Sequence, residues 1–329
     1  MAEVARAAPN GGARPSNQDS SRDPIKWDRF VLPVIFCVVV LVFYALDQRF
    51  LSPLNITNIL NQVSILMVVT VAASIVIFLG GFDLSAGTVV ALAGVVTAIV
   101  VDQTGNVGLA LCCGLLLGIA VGSINGFFVS VLQVSPLIVT LGMMNAARGL
   151  ALILAGGSAV YSFPSWFTDF GASRILGLPT LFVIATAIFL VFAAILRFTT
   201  FGVAIYATGG NQTAARLSGI NVTAVRFAGF AIAGALAAVA GMMLTARTGG
   251  GEPTAGHLYE LEAIAAVVLG GAALSGGEGR LWRSMLGILL LAALGNGLNI
   301  VGVHPHWKGV AIGAVLVLAA SLDALRRRN

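Results

Sequence analysis

The chain has 329 residues, of which 58% are hydrophobic and only 9% charged, with a formal net charge of +5. Soluble domains carry about 25% charged residues, so a water-soluble globular fold is excluded and an all-α, polytopic membrane protein is indicated. The basic balance does not point to nucleic acid, because the Lys and Arg residues flank apolar runs, where they set orientation across a bilayer.

Residues 1–28 are rich in Ala, Pro, Gly, Ser and Arg and lack apolar periodicity. They are expected to form a disordered cytoplasmic tail. A membrane domain then spans 29–325, followed by a basic tail at 326–329. Apolar runs predict about 10 transmembrane helices, near 30–46, 58–79, 86–101, 108–132, 137–155, 179–196, 223–246, 259–274, 284–301 and 307–323. The third, eighth and tenth are short for a hydrocarbon core about 30 Å thick and are expected to be tilted, broken or partly re-entrant.

Orientation follows from the 18 Lys and Arg residues. With the N-terminus inside, 13 fall on the cytoplasmic side, 4 outside (Arg49, Arg174, Arg247 and Lys308), and Arg148 lies within a span. That bias puts both termini in the cytoplasm, which requires an even number of spans. The polar interruption at 197–222 then faces the cytoplasm. It carries its own short-helix signal: Asn211 as N-cap, Arg216 in the last turn, and Gly219 as the left-handed residue beyond it.

Glycine punctuation recurs at GGFDLSAG (80–87) and GGAALSGGEG (270–279), both at cytoplasmic ends of outside-to-inside spans. This is a candidate trace of an internal repeat. Gly114, Gly118, Gly122 and Gly126 share one helix face and permit close helix packing. Asn125 sits beside that stripe, and Asn296 and Asn299 are expected to face the same way. The external segment at 156–179 contains Tyr161, Phe163, Trp166, Phe167 and Phe170, which suits an interfacial aromatic belt or an external docking surface.

Enzyme chemistry is poorly represented. Lys26 and Lys308 are the two lysines, and neither sits in a phosphate-binding glycine loop, so no ATP hydrolysis is built in. His257, His304 and His306 fall in expected external loops without metal-ligand spacing, and the three cysteines lie in apolar runs. No catalytic, cofactor-binding or metal residue is indicated. The candidate intramembrane ionisable groups are Asp83, Arg148, Glu260 and Glu262. Asp83 reads as a helix cap, and Glu260 and Glu262 as the external end of the eighth span. Arg148 reads as mid-helix, pairing with an acid or snorkelling.

The runs GGFDLSAGTVVALAG (80–94), NGFFVSVLQVSPLIVTLGMMNAARGLALILAGG (125–157), TTFGVAIYATGGNQTAARLSGINV (199–222), YELEAIAAVVLGGAALSGGEG (259–279) and NGLNIVGV (296–303) resemble the ribose/xylose/arabinose-type permeases, membrane subunits of bacterial ABC sugar importers. The resemblance covers roughly residues 50–323 in order. It implies a homodimer in the inner membrane, a periplasmic sugar-binding protein outside, and ATP-binding subunits inside that hold the ATP and Mg. It also implies that Gly209, Gly210, Asn211, Ala214, Ala215, Arg216, Ser218 and Gly219 form the ATPase-coupling loop. Arg283 and Lys308 depart from the family pattern, where glycine and glutamine are common. Asn125, Asn145 and Asn299 are candidates for a monosaccharide path, since amides both donate and accept to hydroxyls, and equally for helix packing. Asp83, Arg148 and Glu260 are candidate structural or gating residues. The rival readings are a stand-alone carrier binding a coupling cation at Asp83 or Glu260, and an ABC permease for branched-chain amino acids, nucleosides or another small solute.

Overall fold

The computed structural model describes residues 31–161 and 163–304, with 307, 309, 310, 313, 314 and 317 beyond them. The tail at 1–28, most of the span expected at 307–323, His306, Lys308 and the basic tail at 326–329 lie outside the described residues.

The chain enters through α1 (Val31–Leu46) and a 3₁₀ turn (Gln48–Leu51), where the Asp47 carboxylate accepts from the Arg49 backbone and guanidinium. That hydrogen bonding holds the Asp47 carboxyl below its ordinary value. Ser52 caps α2 (Pro53–Phe78), accepting from the Asn55 N–H at 3.3 Å, with Pro53 at the position where its missing N–H costs nothing. Every residue of α2 from Val63 to Phe78 is buried. A helix that is apolar all round belongs inside a bundle, and α2 is a central post of this one. Its buried hydroxyls on Ser64, Thr70 and Ser74 donate to carbonyls one turn back, so they place no unmet polar group in the core.

Around α2 stand α3 (Ala86–Thr104), α4 (Val107–Ser130), α5 (Pro136–Leu154), α7 (Thr180–Phe198), α10 (Val222–Thr248), α11 (Tyr259–Leu269) and α12 (Leu281–Ile300). Of these, α7, α10, α11 and α12 pack against it. Between α5 and α7 lie a short helix, α6 (Ser165–Ala172), and a two-stranded hairpin, β1 (Arg174–Ile175) and β2 (Leu178–Pro179). Two further helices, α8 (Thr200–Gly210) and α9 (Gln212–Leu217), fill the polar interruption.

The glycine stripe of α4 does what its spacing predicts. Gly118 and Gly122 lie against Gly234 of α10, and Gly126 lies against the Phe227 backbone. With no side chains at the crossing, two backbones come into van der Waals contact, the main source of helix association where lipid is as apolar as leucine. Gly94 and Gly241 repeat the arrangement between α3 and α10.

Among the described residues, seven helices are long and apolar enough to cross a membrane: α2, α3, α4, α5, α7, α10 and α12. α1, an apolar helix of 16 described residues, coincides with the span expected at 30–46. The eighth span is broken, as its length suggested: α11 is only 11 residues, and the chain leading into it, 249–258, runs as irregular backbone against α3. Gly251 packs on Gly94, Val95 and Ala98, while Gly256 packs on Gly87 nearer the start of α3. The segment therefore descends along α3 before the helix begins. Non-helical backbone at such depth is tolerated only when buried in protein, and here α3 covers it.

The loops gather at two ends of the bundle. Loops assigned to one side, at 79–85, 209–211 and 270–280, meet one another. Loops assigned to the other meet likewise: Phe167 packs with Val101, Val107 and Ala246, and Val160 bridges to Gly251.

A valine at Gly234, where a Cβ would sit 2.8 Å from the Gly122 backbone, should lower stability by about 1–3 kcal/mol or more. Alanine at Gly142, which has nothing within 4 Å, should leave stability unchanged or raised. Thermal unfolding in mild detergent separates the two.

Candidate functional site

The polar interruption is not one loop with one short helix. Thr199 caps α8, accepting from the Gly202 N–H at 3.2 Å, and α8 fills the stretch before the expected helix. Asn211 then ends α8 and caps α9, accepting from the Ala214 N–H at 3.0 Å. An N-cap of this kind contributes about 1 kcal/mol, which a six-residue helix needs because nucleation is costly. The chain leaves α9 through Gly219, at φ +85°, with the Ile220 N–H returning to the Ala215 carbonyl at 3.0 Å. Gly219 is thus the left-handed terminator its position predicts.

Of α9 only Ala215 is buried; Asn211, Ala214, Arg216, Ser218 and Gly219 are exposed, and Leu217 is 86% exposed. α9 therefore presents a face with a bare leucine beside an arginine at one end of the bundle.

Behind that face lies a junction of three glycine pairs. Gly209 abuts the Phe78 carbonyl and the Gly277 N–H, with no room for a side chain. Gly277 donates to the Phe78 carbonyl at 3.0 Å, and a Cβ on Gly276 would fall 2.5–2.6 Å from the Gly80 backbone. Gly80, Gly276 and Gly277 all have positive φ, at 75°, 90° and 76°, a conformation L side chains rarely adopt. The end of α2, the end of α8 and the turn between α11 and α12 therefore touch backbone to backbone. Tyr206 of α8 adds a ring stacked on Phe78, with centroids 5.2 Å apart. Burial pushes its phenol up from its ordinary value, only partly offset by Arg280, so the ring stays neutral. The turn itself leads into α12, where the Arg283 guanidinium lies 5.5 Å from the centre of the Trp282 ring.

The candidate polar residues within the bundle do not share one cavity. Asn125 is buried and donates to Ser85 Oγ at 3.0 Å, while Asp83 accepts from the Ser85 N–H and hydroxyl at 2.9 and 2.6 Å. Asp83 thus braces Ser85, which stands at the N-cap position of α3, and neither side chain accepts from the first turn of the helix. Asn145 donates to its own helix at Leu141 and is exposed on α5, and Asn299 is exposed on α12. Asn296, three residues from Asn299 on the same helix, exchanges two hydrogen bonds with Asn55 of α2, at 2.8 and 3.0 Å. That amide clasp was missed because the partners lie far apart in sequence. Glu260 and Glu262 are not at an external end either; both are buried, and Glu260 lies against Gly87 at the start of α3. Their displacement follows from the descent of 249–258. Among the described residues Arg148 makes no ion pair with an acid, and it donates through Nη1 to the carbonyls of Pro253 and Ala255.

Comparison with known proteins gives a consistent set of relatives. A family model described as "Branched-chain amino acid transport system / permease component" matches residues 55–320. The ribose import permease protein RbsC of Escherichia coli (strain K12) is 38% identical over 294 residues, covering 88% of this chain and 92% of that protein. The ribose import permease protein RbsC of Bacillus subtilis (strain 168) is 39% identical over 288 residues, covering 87% and 89%. The D-allose transport system permease protein AlsC of E. coli (strain K12) is 35% identical over 305 residues, covering 91% and 92%. No solved structure matches the chain significantly.

Two adjacent glycines give a sharp test of the junction. Alanine at Gly209 should push α8 off the Phe78 carbonyl and increase proteolysis within 197–222. Alanine at Gly210, whose nearest neighbour would be 3.9 Å away, should be tolerated. Limited proteolysis of the two variants in detergent checks this.

Proposed function

The chain belongs to the ABC-transporter permease family matched at residues 55–320, and from that membership we propose that it is the membrane subunit of a bacterial importer for a monosaccharide. It is a multi-pass protein of the inner membrane and a transport component, without chemistry of its own. In this reading separate chains bind ATP and Mg at the cytoplasmic face, and an external binding protein delivers the sugar. A second copy of this chain completes the path. The relatives named for ribose and D-allose support a pentose or hexose. The family description also mentions branched-chain amino acids, which makes leucine the natural competitor to include.

The observation that carries the mechanism is the glycine junction under α9. An ATPase that pushes on α9 pushes on Gly209, and Gly209 bears directly on the last carbonyl of α2 and on the turn before α12. Because these contacts are between backbones, no side-chain rotation can absorb the displacement. Closure of the ATPase pair would therefore be delivered to the central helix and to α12, and would rock each copy between inward- and outward-open states. The coupling residues of this proposal are Gly209, Gly210, Asn211, Ala214, Ala215, Arg216, Ser218 and Gly219.

The outward-facing amides support the second copy. Asn145 is exposed on α5, in a helix otherwise apolar enough to sit in lipid. Lipid cannot satisfy an amide. A water-filled path or a facing protein surface can, and the proposed dimer supplies both, with Asn145 and Asn299 toward the path and Asn125 positioning the start of α3.

Vesicles containing this chain, the ATP-binding subunits and the binding protein should take up labelled ribose or a related sugar only with ATP, and excess leucine should not compete. Replacing Arg216 and Gly219 together should cut uptake by about tenfold or more while ATP hydrolysis and membrane insertion persist. Normal uptake by that variant would remove the coupling role from α9. Uptake driven by an ion gradient in vesicles containing this chain alone would overturn the importer reading.

A further inference from the structure

Arg148 and Glu260 form an arrangement that the transport reading does not yet use. Arg148 lies on α5, two helical turns from its C-terminal end, and reaches across to the irregular segment 249–258. That segment carries backbone carbonyls inside the bundle, where water cannot meet them, and the guanidinium supplies donors to two of them, Pro253 and Ala255. Glu260 begins a few residues farther on, in the first turn of α11. It is 8% exposed, and its Oε2 has no hydrogen-bond partner among the described residues. Arg148 is the cation within electrostatic range of it, while Asp83 and Glu262 repel it. A buried carboxylate oxygen left without a donor is costly, and the nearest guanidinium is committed elsewhere.

The helix carrying Arg148 is held on one side only. α5 packs on α3 through Ala147 and Ala151, with Ala155 just beyond its end, against Leu92 and Val95. Its other face is largely open, and neither Gly142 nor Gly149 has any atom within 4 Å of where a side chain would begin. A shift of α5 along α3 has to re-seat Val139, Thr140 and Met143, which hold the first half of the helix against the core. It carries the guanidinium along 249–258 toward the first turn of α11.

We propose that Arg148 is a positioning residue with two stations: the carbonyls of Pro253 and Ala255 in the arrangement described, and the Glu260 carboxylate in the alternate state of the transport cycle. The exchange clamps the broken eighth span to α5 in one state and to a charge pair in the other. Neither state then leaves α5 untethered. This rests on the import reading, and the gate it describes moves the outer half of the molecule while α9 moves the inner.

The test is a cycle of Arg148→Gln, Glu260→Gln and the double variant, read in two ways. In the resting protein in detergent, Arg148→Gln should lower the melting temperature, Glu260→Gln should not, and the double should match Arg148→Gln alone. In vesicles with ATP-binding subunits and binding protein, Glu260→Gln should slow uptake about tenfold with membrane insertion intact. The double variant should be no slower than the slower single one. Coupling between the two residues in resting stability would show a fixed ion pair and overturn the exchange, as would wild-type uptake by Glu260→Gln. Wild-type protein that fails to take up sugar in the same vesicles would instead overturn the import reading, and the wild-type control identifies that failure.

Discussion

Contact between bare backbones at the inner end of the bundle is the constraint on which the rest of the structure depends. Gly80, Gly209, Gly276 and Gly277 come from parts of the chain nearly two hundred residues apart, yet each occupies a place where a single methyl group would collide with another segment's main chain. Side chains can rotate away from a load, but peptide groups in van der Waals contact cannot. The exposed, capped α9 is therefore mounted on the buried post α2, and the Gly277 hydrogen bond to Phe78 ties the turn before α12 into the same body.

A second constraint shapes the opposite half. Backbone polar groups inside a membrane must be met by protein, and the segment 249–258 meets that demand in three ways. Gly251 pairs with Val160, glycines at 251 and 256 let the strand lie flat on α3, and Arg148 binds two carbonyls that secondary structure leaves over. Because the segment descends, α11 starts within the bundle and carries Glu260 and Glu262 inward with it. The same departure from helical geometry that shortens the eighth span creates the buried charges beside it.

Much of this was legible in the sequence where the signal is local. The Asn211 cap, the Gly219 terminator and the four-residue glycine stripe of α4 each depend on spacing within one or two turns, and each is present as expected. The sorting of loops to two ends follows from the alternation of apolar runs. What was not legible depends on contacts across the chain. The short eighth span and the glycines from Gly270 announce where α11 ends, but nothing local announces that the chain before it, 249–258, runs down along α3. Asn296 gives no local sign of its partner Asn55, which lies far from it in sequence. The three glycine pairs are visible in the sequence, but no property of any one of them says that they meet. α8 was overlooked because its cap, Thr199, follows directly on α7 and looks like the start of a loop.

The central claim is that α9 and the inner ends of α2 and α12 move as one body. Spin labels at the exposed positions Thr213 and Glu278 of one copy, in the assembly with its ATP-binding subunits, measure this directly by pulsed dipolar spectroscopy. The distance between them should be the same with and without ATP, while the distance between the Thr213 positions of the two copies shortens on ATP binding. A change between Thr213 and Glu278 within one copy, with no change between copies, would show that α9 swings free of the glycine junction and would contradict the account.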